Sequence, residues 1–153
     1  MIRFETEQTI ARSAEDVWAY AADILRHPEW MGVTDARIVQ GTGSEVGARA
    51  IERMNMGPRT VDVEFTVAES IPARRLRWTV AGRSPLTGDV TLDLEPLGAD
   101  QTKAVWSGSI GLNGLWRLLE PLMAGEVKAG EAAELRRLKE NLETAPAMGS
   151  AMS

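Results

Sequence analysis

Residues 61–67 read VDVEFTV and residues 75–80 read RLRWTV. In both stretches apolar and polar side chains alternate: Val61, Val63, Phe65 and Val67 against Asp62, Glu64 and Thr66, then Leu76, Trp78 and Val80 against Arg75, Arg77 and Thr79. Successive side chains of a strand point to opposite faces, so the alternation predicts two strands with one apolar and one charged face. This is the pattern of an antiparallel sheet wet on one side, and the turn residues at 70–73 join the two strands as a hairpin. Working outward, turn residues at 41–43, 55–58, 82–85 and 96–100 complete the division of residues 34–110 into six short strands.

A seventh strand precedes them, because residues 2–11 alternate in the same way. Ser13 then offers a helix N-cap, with Glu15 and Asp16 in the first turn where the helix dipole favours acids. Proline disfavours helical geometry in the residue before it, so His27-Pro28 predicts a break, with residues 27–32 a loop or broken turn. From Asn113 the leucines change to helical spacing, ending in Leu135, Leu138 and Leu142, and Pro121 predicts a short helix followed by a longer one. Residues 1–144 are expected to form one domain, and residues 145–153 a frayed, flexible tail.

Composition excludes several kinds of chemistry. The chain of 153 residues has no cysteine and one histidine, which removes disulfides, thiolate metal sites, cysteine nucleophiles and multi-histidine metal centres. A net charge of -5 argues against a nucleic-acid surface, and Arg74, Arg75 and Arg77 read as the outer face of a strand. Residues 41–47 are Gly-rich but lie between strands rather than opening a helix, so they are no phosphate-binding loop. With no apolar leader and no membrane-length apolar run, the expected location is the cytoplasm.

The order of elements describes an α+β arrangement: a curved seven-stranded antiparallel sheet wrapped around a long C-terminal helix, with two short helices after the first strand. The residues that carry a family resemblance are Ser13-Ala14-Glu15-Asp16-Val17-Trp18, Asp23-Ile24 leading to His27-Pro28-Glu29-Trp30, and Val46-Gly47. They continue in Ile71-Pro72-Ala73-Arg74-Arg75-Leu76 and in the terminal run Leu135-Arg136-Arg137-Leu138-Lys139-Glu140-Asn141-Leu142-Glu143. In that order and spacing the chain resembles the START-like (SRPBCC) superfamily of helix-grip proteins, which includes polyketide cyclases, lipid-transfer domains and the birch-pollen allergen fold. The resemblance implies a cavity between sheet and helix that holds apolar or aromatic small molecules. It carries over no catalytic residue, because members range from enzymes to carriers.

The residues themselves bear on whether that interior is hollow. The sheet presents large apolar groups, whereas the helix thins toward its middle, where Gly125 and Gly130 interrupt the leucine stripe. The expected pocket wall is Trp30, Met54, Phe65, Trp78, Leu92 and Trp106 from the sheet and the loop before it, with Met123, Val127 and Glu131 from the helix. Each tryptophan has a plainer reading as core filling. Glu52, Asp62 and Glu64 are expected on the wet face opposite arginines; for Glu52, which shares a face with Ala50 and Met54, the alternative is an inward polar anchor. Inward-facing Glu52 and Glu131 would have raised pKa values and allow acid–base chemistry. His27, before a proline, is expected at the surface or as a cap rather than in catalysis.

These residues point first to a binding protein for a hydrophobic small molecule such as a lipid, quinone or aromatic metabolite, with no cofactor, no metal and no nucleic-acid partner. An aromatase/cyclase-like enzyme using the same cavity is one alternative. A protein-interaction module with a filled core is another. The sequence assigns no oligomeric state.

Overall fold

A computed structural model describes residues 1–81 and 85–145. Its strands are β1 (Ile2–Ile10), β2 (Asp35–Gln40), β3 (Arg49–Met56), β4 (Arg59–Ile71), β5 (Arg75–Ala81), β6 (Leu86–Gly98) and β7 (Gln101–Leu112). They form one antiparallel sheet in the order β1-β7-β6-β5-β4-β3-β2. Helix α1 (Ala14–Ala22) and a 3-10 helix (Ile24–Glu29) follow β1, and a second 3-10 helix (Gly114–Leu119) leads into α2 (Glu120–Thr144). The arrangement is the expected helix grip.

Local chemistry explains these boundaries. Ser13 Oγ accepts the Asp16 N–H at 3.1 Å and caps α1. The helical path does not stop at His27. It continues as a 3-10 turn with Pro28 inside it, so the ring of His27 faces the interior. Pro121 sits in the first turn of α2, where its missing N–H costs no hydrogen bond. The β3–β4 turn uses Gly57 at φ 61°, a conformation open to glycine at no steric cost. β6 runs through Pro96 to Gly98 with a register shift there, so the turn expected at 96–100 narrows to Ala99 and Asp100. The turn expected at 82–85 falls mostly, and the tail almost wholly, outside the described residues.

At Gly88 and Gly108 the pairing of β6 with β7 leaves no room for a side chain. A Cβ on Gly88 would collide with the Ser109 carbonyl oxygen, and one on Gly108 with that of Asp89.

Side chains of the inner face continue across the strands: Glu52 lies opposite Val63, Phe65 opposite Val80, Val67 opposite Trp78, and Leu92 opposite Trp106. The outer face carries the expected cross-strand pairs, Arg53 with Asp62 at 3.0 Å and Arg49 with Glu64 at 2.5 Å.

The core gathers around the C-terminal half of α2. Leu135, Leu138 and Leu142 are buried there with Ile10, Val17, Val67, Leu76 and Leu92. Polar ties hold this end in place. Asn141 Nδ2 donates to Tyr20 Oη at 3.1 Å and to the Glu29 carbonyl at 3.0 Å, and Arg137 Nε donates to the Trp30 carbonyl at 2.9 Å. Among the described residues no helix is long and apolar enough to cross a membrane.

Candidate functional site

Toward its N-terminal half, α2 no longer fills the space above the sheet. Its buried leucines end at Leu135, and a Cβ on Gly130 would meet no atom within 4 Å; Gly125 does not line this space. Between this half of the helix and the sheet lies a cavity of about 230 Å³. An engineered apolar void of about 150 Å³ takes up benzene, so the space here is ample for a small aromatic or aliphatic group. The wall is overwhelmingly apolar, and carboxyl groups supply most of its polar side chains.

Of the residues the sequence singled out, Met54, Phe65, Trp106, Met123, Val127 and Glu131 stand on this wall. Trp30, Trp78 and Leu92 do not. All three are buried in the core. Trp30 and Trp78 each pack edge-on against Trp106, with ring centroids 5.6 Å and 6.0 Å away, so they support the wall from behind. The sequence reading missed Met31, Met56 and Glu134, which also line the cavity. Glu134 was within reach of sequence logic, because it lies three residues from Glu131 and so on the same helix face.

Glu131 and Glu134 form the polar feature of the wall. Glu131 Oε2 accepts the Trp106 indole N–H at 2.7 Å, and Glu134 Oε1 accepts the Gly32 backbone N–H at 3.0 Å. The two carboxyl groups stand one helical turn apart on the same wall and act on each other's charge. Burial pushes both pKa values up, Glu134 well above the usual carboxylate range because the neighbouring Glu131 charge adds to burial. Of the two, Glu134 is the more strongly shifted toward its neutral form.

A carboxyl whose folded pKa is raised contributes stability that is fully present below the unfolded value of 4.5 and lost as pH rises through the folded pKa. Glutamine in place of Glu134 keeps the acceptor for Gly32 and a donor for Glu131 without that loss. Glu134→Gln is expected to melt above the parent at pH 7 and level with it below pH 4.5, as thermal unfolding monitored by circular dichroism would record.

Glu52 points inward, which corrects its expected place on the wet face, but it does not reach the cavity. It is 2% exposed, and its Oε1 meets His27 Nδ1 at 2.5 Å. His27 is 1% exposed, which corrects the surface placement expected from Pro28. Its Nε2 donates to the Ala21 carbonyl at 2.9 Å, and its ring lies edge-on to Trp30 and Trp78. Burial alone would lower the imidazole pKa; the charge and hydrogen bond of Glu52, with the Ala21 carbonyl, outweigh it and hold the value above 6.5. The pair is an internal brace for the tryptophan cluster.

Among the described residues no three His, Cys, Asp or Glu side chains come together as a metal site. The geometry offers an apolar chamber with an acid pair on one wall, suited to burying a small molecule and to holding a proton beside it.

In comparisons with solved structures, the chain is similar to the Zhui aromatase/cyclase from Streptomyces sp. R1128, with TM-score 0.74 and 15% identity over 92% of this chain and 93% of that one. It is also similar to a START superfamily protein from Mycobacterium smegmatis, with TM-score 0.73 and 16% identity over 92% and 98% of the two chains. A protein from Thermus thermophilus aligns over 99% of both chains with TM-score 0.73 and 18% identity. At these identities the likeness is one of fold. No curated protein sequence matches the chain. The model of one family, polyketide cyclase/dehydrase and lipid transport, matches residues 1–143. With all but the last ten residues inside that match, the chain belongs to the polyketide cyclase/dehydrase and lipid transport family.

Proposed function

We propose that the protein binds a hydrophobic small molecule in the cavity between the sheet and the N-terminal half of α2. The observation that carries this reading is the chamber of about 230 Å³ walled by apolar groups such as Met54, Phe65, Trp106, Met123 and Val127. Burying a ligand there gains roughly 25 cal/mol for each Å² of apolar surface removed from water. Among the described residues four methionines line the wall, and their unbranched thioethers adapt to ligands of different outline. Trp106 is fixed by its bond to Glu131 and so offers a rigid aromatic face.

Native mass spectrometry of the protein purified from its own host tests the proposal. The expected spectrum contains a species heavier than the chain by the mass of one small molecule, released by organic solvent. A spectrum of bare chain alone, together with no uptake of an added aromatic hydrocarbon, would overturn the reading.

One observation favours a second reading, an enzyme of aromatase/cyclase type: two carboxyl groups, Glu131 and Glu134, line an apolar chamber that raises their pKa values, as general acid–base catalysis requires. The two readings separate on turnover. A carrier leaves the extracted molecule chemically unchanged on incubation, whereas an enzyme converts it and loses that conversion in Glu134→Gln.

A further inference from the structure

We infer that the cavity selects an apolar molecule ending in a hydrogen-bond donor, a protonated amine above all, and rejects the corresponding carboxylate. This rests on the cavity being a binding site and adds the chemistry of its occupant. The inference comes from the donors and acceptors in the wall. Among the described residues no Lys, Arg or His side chain lines the chamber, whereas Glu131, Glu134 and Asp89 do. Asp89 is answered by Arg77 at 3.2 Å. Glu131 and Glu134 face the chamber without a cation beside them in that wall. Arg137, which acts on Glu134 from outside it, gives its Nε to the Trp30 carbonyl at 2.9 Å.

The N–H donors that reach these two acids are already used. Trp106 donates to Glu131 at 2.7 Å and Gly32 donates to Glu134 at 3.0 Å. Among the described residues Thr87 is the one lining hydroxyl, able to donate or accept. The wall therefore offers spare carboxylate lone pairs and almost no spare donors. A ligand that brings a donor completes the set, and an ammonium does so with a charge-assisted bond strengthened by the apolar surroundings. A ligand carboxylate would meet like charge and leave its own oxygens without donors, which is how a site rejects a molecule of the same shape.

The test uses four molecules of one outline: naphthylmethylamine, naphthalenemethanol, naphthoate and methylnaphthalene, titrated into the full chain at neutral pH by isothermal calorimetry. The amine is expected to bind at least about tenfold tighter than naphthoate, with the alcohol between them. In the variant carrying Glu131→Gln and Glu134→Gln, the ratio of amine to methylnaphthalene affinity is expected to collapse toward one. Glutamine reproduces the hydrogen bonds of a protonated carboxyl, so the variant keeps the wall's shape. Naphthoate binding as tightly as the amine, or an amine preference that survives both substitutions, would overturn the selectivity while leaving the cavity reading intact. No binding by any of the four would overturn both.

Discussion

Replacing His27 with alanine is expected to destabilise the protein by about 3–5 kcal/mol, the usual cost of removing one partner from a buried pair. The substitution leaves the Glu52 carboxylate, 2% exposed, with neither oxygen hydrogen-bonded, since Oε2 has no partner even in the intact pair. It also removes the ring that Trp30 and Trp78 pack against. Glu52→Gln is expected to cost less, about 1–3 kcal/mol, because a neutral imidazole accepts the amide N–H at Nδ1 while Nε2 still donates to Ala21. Urea denaturation of both variants checks the order. A loss below about 1 kcal/mol for His27→Ala would mean that the pair does not brace the core.

The pH dependence has a definite sign. A histidine whose folded pKa is raised contributes stability that is fully present below 6.5 and fades as pH rises through the folded value. Urea denaturation of the parent is therefore expected to show the contribution of the pair declining as pH rises above 6.5.

Gly130→Phe is expected to empty the cavity of ligand without unfolding the protein. Gly130 lines the chamber and a Cβ there meets no atom within 4 Å, so a phenyl ring enters free space. Inside a helix any ordinary residue is also favoured over glycine, by roughly 0.3–1 kcal/mol. Keeping a ligand from about 100 Å² of apolar wall forfeits about 2.5 kcal/mol. At about 1.4 kcal/mol per tenfold, affinity for methylnaphthalene should fall about fifty-fold or more while the melting temperature holds or rises. Unchanged affinity would place the binding site elsewhere.

The sheet was legible because each strand has one wet face: the alternation in residues 61–67 and 75–80 survives in the register that puts Phe65 opposite Val80 and Val67 opposite Trp78. The thinning of α2 was legible in part: Gly130 leaves the cavity side of the helix with nothing to insert, whereas Gly125 lies on the exposed side and does not line the chamber. Depth was not. Period-2 alternation says which face a side chain takes, not whether it reaches a cavity or stops in the layer behind it. Hence Trp106 lines the chamber whereas Trp30 and Trp78 pack behind it. His27 was misplaced for a related reason. A proline after it signals the end of an α-helix, but the chain continued in a 3-10 turn, and the Glu52 that receives the ring lies on β3, 25 residues away. Glu134 was visible as the i+3 neighbour of Glu131, but following the leucine stripe from Leu142 back through Leu135 passes it by.

The raised pKa values of Glu131 and Glu134 and the stability lost by keeping them in an apolar wall fit the pattern of a site retained for function rather than for folding.

The most direct measurement is a titration of methyl-labelled methionine with methylnaphthalene, followed by carbon–proton correlation spectra. Met31, Met54, Met56 and Met123 line the cavity from the loop after the first 3-10 helix, strand β3 and helix α2. All four methyl signals are expected to shift together and to saturate at a single stoichiometric equivalent. If the four stay in place at saturating probe, the space between sheet and helix admits no ligand, and the account of this protein as a binder of apolar molecules is wrong.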